Sequence, residues 1–179
     1  EDSLTEIRAA WLSTSPRTIA EERLKEDPPI VISHVSAASV LELGDITPAT
    51  HVFSSPVRKQ SSAADIRHRV TPLPAEDITV VEGLPVTTPL RTIADLAKDR
   101  LDGDQLHHVI ANAIRDHRLK ASLVSKRLDP YAEHYGYTTG QDLVAQSLLR
   151  FPEDSSATEA LGLSVLAQAL QGSLNGSVS

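Results

Sequence analysis

Asp77-Ile78-Thr79-Val80-Val81-Glu82-Gly83-Leu84-Pro85-Val86-Thr87-Thr88-Pro89 is the stretch that decides the fold. Two short β-branched runs, 78–81 and 84–88, stand on either side of Glu82-Gly83, the right place for a hairpin turn. Thr88-Pro89 then reads as a cap followed by a proline in the first helical turn. Strand character therefore ends, and helical character begins, inside one segment.

Upstream of it, His51-Val52-Phe53-Ser54 and Ile66 to Val70 are further short runs bounded by proline or polar clusters. Together these segments predict a small, mostly antiparallel sheet. Ile30-Val31-Ile32 is too short to separate a buried strand from a helix entry. Ser33 is expected to cap a helix over 35–43 that Gly44 closes in a left-handed conformation. Nearer the start, Leu4, Ile7 and Trp11 share one face of a helix, and Thr18 with Glu21 opens a short charged helix that Pro28-Pro29 closes.

Downstream the period is helical. Ile93, Leu96 and Ala97 face one way, and Asp102 with Gln105 opens a helix striped by Leu106, Val109, Ile110, Ala113 and Ile114. Val124, Leu128, Tyr131 and Tyr135 continue the pattern, with a restart at Pro130 and a stop at Gly136. Leu143, Val144, Ser147 and Leu148 line another helix. The expected fold class is α+β: a small mixed or antiparallel sheet flanked by helices, with a helical C-terminal half. Residues 1–150 read as one domain, and 151–179 as an extension holding a helix and then a Gly/Ser-rich tail. In that helix Leu161, Val165 and Ala169 fall on one side and Leu163, Leu166 and Leu170 on another. Leaving several leucines in water forfeits about 1.5–3 kcal/mol each, so Leu163, Leu166 and Leu170 are expected to meet a second copy in a two-fold dimer; the competing reading is a mobile tail.

Composition removes whole classes of function. There is no cysteine, hence no disulfide, thiolate zinc site or thiol nucleophile. A 40% hydrophobic content excludes intrinsic disorder, and no apolar run approaches the length of a membrane span. The chain opens Glu1-Asp2-Ser3 and lacks methionine, which reads as a piece of a longer protein. Its net charge of −7 argues against a dedicated nucleic-acid binder. The exception is local: Arg58, Lys59, Arg67 and Arg69 oppose only Asp65 between residues 56 and 69. Two strands joined by a Ser/Ala-rich loop would present these cations together at a sheet edge, as a contact for a DNA backbone or a partner. Edge strands also carry such residues simply to block aggregation.

No catalytic constellation rises above background. Asp104 and His108 share a helix face at i, i+4, but two ligands without a third make a weak metal site. His107 and His108 diverge by about 100° on a helix and cannot share an ion. His34 beside Ser33 and Ser36 lacks the tight glycine-flanked turn of a nucleophile elbow. No catalytic residue, metal ligand or cofactor is assigned. An enzymatic alternative, a nuclease-related or metal-dependent hydrolase, would have to use Asp104, His108 and nearby acids.

The order of segments resembles a known family. It is carried by Ala10-Trp11-Leu12, by Val31-Ile32-Ser33-His34-Val35-Ser36-Ala37-Ala38, by Leu43-Gly44-Asp45 and by His51-Val52-Phe53. It continues through the 77–89 string, Arg91-Thr92-Ile93-Ala94-Asp95-Leu96-Ala97 and Pro130-Tyr131-Ala132-Glu133-His134-Tyr135-Gly136. Over residues 4–150 this resembles the AbiEi-type antitoxins of type IV toxin–antitoxin systems, particularly actinobacterial members that are transcriptional regulators. The resemblance implies a cytoplasmic, non-enzymatic effector region. It also implies a winged helix-turn-helix elsewhere that binds operator DNA, and a nucleotidyltransferase-like toxin as the protein opposed. These residues then correspond to the region after the winged helix, and no base-contacting position is carried over. Arg91 and Asp95, at i, i+4, read as a local ion pair.

Overall fold

The computed structural model describes residues 2–14, 22, 29–58 and 63–152. The fold is α+β. A five-stranded mixed sheet is flanked by helices, and the C-terminal half is helical. The strands are β1 (Val31–Ile32), β2 (His51–Ser55), β3 (Ile66–Val70), β4 (Ile78–Val81) and β5 (Leu84–Thr87), in the spatial order β3-β2-β1-β5-β4. The helices are α1 (Asp2–Ser13), α2 (His34–Val40), α3 (Pro89–Lys98), α4 (Gly103–Arg115), α5 (Ala121–Leu128) and α6 (Gly140–Arg150).

The sheet departs from the mostly antiparallel expectation. β1 runs antiparallel to β2, and β4 to β5, but β1–β5 and β2–β3 are parallel. The brief β-branched run at 30–32 is the centre of the sheet. Ile32 stands opposite Phe53 on one side and Val86 on the other, and all three are fully buried. A central strand of two residues persists because both its neighbours hydrogen-bond it and both its faces are covered. The 78–87 hairpin turns through Glu82 at φ 49 and Gly83 at φ 77, the paired positive angles of a two-residue turn matched to strand twist.

α1 buries Ile7 and Trp11, and the Trp11 indole donates to the carbonyl of Ile30 at 2.8 Å, tying the helix to the central strand. α2 is shorter than the 35–43 expectation, and Gly44 does not close it. Glu42 takes the left-handed position, at φ 54, while Glu42 N–H reaches Ser39 O and Leu43 N–H reaches Ala38 O. Gly44 is left-handed as expected, at φ 67, but stands two residues beyond that turn, and a Cβ there would also lie 3.0 Å from Cγ2 of Val109 on α4.

The caps expected downstream are present. The Thr88 hydroxyl accepts from Arg91 N, and the Asp102 carboxylate accepts from Asp104 N and Gln105 N. Leu106, Val109, Ile110 and Ala113 are fully buried, as are Val124, Leu128 and Leu143. α5 gives way at Asp129-Pro130 to a 3₁₀ turn, Asp129–Tyr135, ended by Gly136 at φ 80. The helix expected over 157–171, with Leu163, Leu166 and Leu170, lies outside the described residues, and so does the helix expected after Thr18 apart from Glu22, which is helical. No helix among the described residues is long and apolar enough to cross a membrane.

Candidate functional site

Of the four cations singled out in the sequence, the three among the described residues are spread along the β2–β3 edge. Because β2 and β3 are parallel, their registers run together: Val52 opposes Arg67, Ser54 opposes Arg69 and Ser55 opposes Val70. Arg58 lies beyond the finish of both strands, whereas Arg67 sits near their start. Strand rise of about 3.3 Å per residue therefore separates them along the edge. A hairpin would have brought them together. β3 is an edge strand, as expected, and Arg67 and Arg58 are exposed on it and beside it. Lys59 lies outside the described residues.

Arg69 has a different role. Its guanidinium pairs with the carboxylate of Asp99, the residue that caps the end of α3. The same carboxylate lies 3.8 Å from Nε2 of His34. Nδ1 of His34 hydrogen-bonds Ser33 Oγ at 2.9 Å, and Ser33 Oγ hydrogen-bonds Ser54 Oγ at 2.8 Å. The chain Arg69–Asp99–His34–Ser33–Ser54 thus ties the edge strand to the ends of α2 and α3. His34 adopts φ 55, in the left-handed region that costs a non-glycine residue about 1–3 kcal/mol. Burial pushes its pKa below the ordinary 6.5, assisted by Arg69 and Arg91 and opposed by Asp95 and Asp99. The order serine–histidine–aspartate has the outward form of a nucleophilic triad. Ser33 is fully buried, however, and its hydroxyl is shared between His34 and Ser54, so a substrate carbon has no approach to it.

A second polar network centres on Arg91. Its Nε donates to Asp95 at 3.0 Å, the i, i+4 pair read from the sequence, and its Nη1 donates to Asp77 at 2.8 Å. Arg127 of α5 also reaches Asp77, at 3.2 Å. Thr87 and Thr92 share a hydroxyl contact at 2.7 Å beneath them. Burial alone would lower the Arg91 pKa; the two carboxylates outweigh it and hold the guanidinium charged.

Beside this network, α3, α5 and the 3₁₀ turn enclose a cleft of about 410 Å³ whose lining includes Arg91, Lys98, Lys126, Arg127 and Tyr131. Lys98 and Lys126 have no ion-pair partner among the described residues. Sequence reading does not find this cleft, because Lys98 and Lys126 come from separate helices and carry no shared motif.

The residues of the enzymatic alternative are engaged elsewhere. The Asp104 carboxylate pairs with Arg150, and the His108 ring stacks on Phe151 with centroids 4.6 Å apart. No group of three or more potential metal ligands converges among the described residues. His107, paired with His108 in sequence, is buried and turns inward: Nδ1 contacts Ser147 Oγ at 2.8 Å and Nε2 contacts Tyr137 Oη at 3.1 Å. Ser147 already donates to Leu143 O, so it accepts from Nδ1–H, and Nε2 accepts from the tyrosine. Both contacts fit the neutral ring.

Neither protein-family models nor curated proteins yield a match to this chain.

Proposed function

We propose that the chain is the non-enzymatic effector region of an AbiEi-type antitoxin, part of a cytoplasmic transcriptional regulator that opposes a nucleotidyltransferase-like toxin. The observation that carries this reading is the use made of the Gly83–Pro89 and Arg91–Ala97 strings on which the resemblance chiefly rests. They form one continuous turn, strand, cap and helix. Their polar side chains are consumed by the fold: Thr87 by Thr92, Arg91 by Asp95 and Asp77. A motif spent on architecture is what a binding scaffold needs, whereas an enzyme keeps reactive groups open to substrate.

Arg58, Lys59 and Arg67 are the residues for a DNA-backbone or partner contact in this reading. Arg69 contributes by holding the edge strand. Leu163, Leu166 and Leu170 supply a homodimer contact. Growth rescue tests the antitoxin assignment: the complete regulator, expressed with its cognate toxin, restores growth, and a version lacking these residues does not. Rescue by the DNA-binding part alone would overturn it. For the isolated chain, the −7 charge sets the expectation of weak, sequence-independent DNA binding that fades with salt. Light scattering tests the dimer, which Leu163→Glu with Leu166→Glu converts to a monomer.

A further inference from the structure

The cleft between α3 and α5 carries a positive charge in a chain that is acidic as a whole. Arg91, Lys98, Lys126 and Arg127 line it, against Asp95 in the lining and Asp77 behind the two arginines. The local balance is two positive charges in a chain whose net charge is −7. The arginines are paired with their carboxylates, so the surplus resides on Lys98 and Lys126, both exposed and without an anionic partner among the described residues. They project from different helices into the same space, where Tyr131 of the 3₁₀ turn supplies an aromatic wall.

Lysines in the last turn of a helix also complement its negative end. Lys98 and Lys126 both occupy such turns. That effect accounts for each lysine singly. It does not account for the two facing one cleft together with a half-buried tyrosine.

We propose that this cleft binds a phosphate-bearing small molecule of the mononucleotide class. The phosphate lies between Lys98 and Lys126, and the planar base rests on Tyr131. A phosphate monoester carries about −1.5 to −2 charges at pH 7, which matches the surplus. The volume falls within the roughly 300–1,000 Å³ of small-molecule sites. Arg91, held by Asp95 and Asp77, gives the site a fixed floor, and Arg127 stands beside it over the same Asp77. The proposal is independent of the antitoxin reading, since it uses neither the β3 edge nor the segment after residue 150.

Calorimetric titration of the full chain with adenosine 5′-monophosphate, adenosine and inorganic phosphate tests it. The monophosphate should bind at least about tenfold more tightly than either fragment, and more weakly as salt is raised. Amide shifts in an NMR titration should cluster at Lys98, Lys126 and Tyr131. Lys98→Ala with Lys126→Ala, both exposed positions, should weaken binding at least about tenfold while leaving the circular dichroism spectrum unchanged. Tyr131→Leu, which keeps the apolar packing, should remove the preference for the monophosphate over inorganic phosphate. Affinity for adenosine equal to that for its monophosphate overturns the proposal. So does a double-lysine variant whose urea midpoint falls while its titration stays that of the wild type, because the lysines then only complement helix ends.

Discussion

The Asp77 carboxylate lies 2.8 Å from Nη1 of Arg91, and through this contact the residue just before β4 is fastened to the helix that follows β5. The side chains are 15% and 14% exposed, and Arg127 approaches the same carboxylate from α5. One acid therefore joins the sheet to two helices of the C-terminal half. Removing it leaves Arg91 partly buried with one carboxylate instead of two.

Asp77→Ala should accordingly cost about 2–3 kcal/mol, somewhat less than the loss of one partner from a fully buried pair. Arg127→Ala should cost about 0.5 kcal/mol or less, because that side chain is largely solvated. Urea unfolding of the two variants decides the matter, and equal midpoints would refute the ranking.

Three glycine substitutions should separate strain from crowding. Gly83→Ala meets open space and carries only the left-handed penalty, about 1 kcal/mol. Gly44→Ala adds a Cβ 3.0 Å from Val109 Cγ2 to the same penalty. Gly140→Ala would place its Cβ 2.1 Å from the Ser125 carbonyl oxygen, which backbone cannot yield cheaply. The expected order of destabilisation is Gly140 over Gly44 over Gly83, with the first beyond about 3 kcal/mol. Thermal melts of the three check it.

Stability should fall as pH drops below 6.5. His34 and His107 both have pKa values lowered from that figure, chiefly by burial, with Arg150 adding to the effect at His107 and Asp104 opposing it. Well above 6.5 both rings are neutral in the folded and unfolded chains, so neither adds a pH slope. Below it the unfolded chain binds protons that the folded chain refuses, and stability is lost until the folded rings also titrate. His107→Gln should flatten this slope. An unchanged slope would show that Ser147 and Tyr137 tolerate the imidazolium.

Arg67 and Arg69 should part company. Arg67→Ala leaves stability within about 0.5 kcal/mol, as an exposed residue away from any special contact. Arg69→Ala removes the partner of Asp99 and lowers the unfolding midpoint measurably. In DNA binding by the full regulator, reversing Arg58 or Arg67 should lower affinity similarly across sequences and flatten the salt slope by about one unit per contact. A slope that stays constant would leave edge protection as their role.

Local chemistry was legible in the sequence and distant chemistry was not. Thr88 and Asp102 act within three residues of themselves, so their caps could be read directly. The Arg91–Asp95 pair follows from helical spacing. Asp77 with Arg127 spans 50 positions, and Ser33 with Ser54 spans 21, with no period to connect them. A glycine after an apolar run reads as a helix end; Gly44 is left-handed, but the chain has already turned at Glu42, two residues earlier, and Val109 crowds the Gly44 position. The parallel pairing of β2 with β3 is hidden for a related reason. Alternation along a strand says which side chains share a face and nothing about which way its neighbour runs.

The two-residue strand at the centre of the sheet sets an order of assembly. β4 and β5 are joined by a tight turn, and β2 and β3 by a short connection, so each pair can close locally. Val31 and Ile32 can bridge the pairs only after residue 86 exists, more than fifty positions later in synthesis. A chain emerging from the ribosome therefore carries its future middle strand unpaired on one side until the hairpin arrives. Native-state amide exchange at Ile32 and Val86 should report the same cooperative opening, because neither half can part from the other without releasing both.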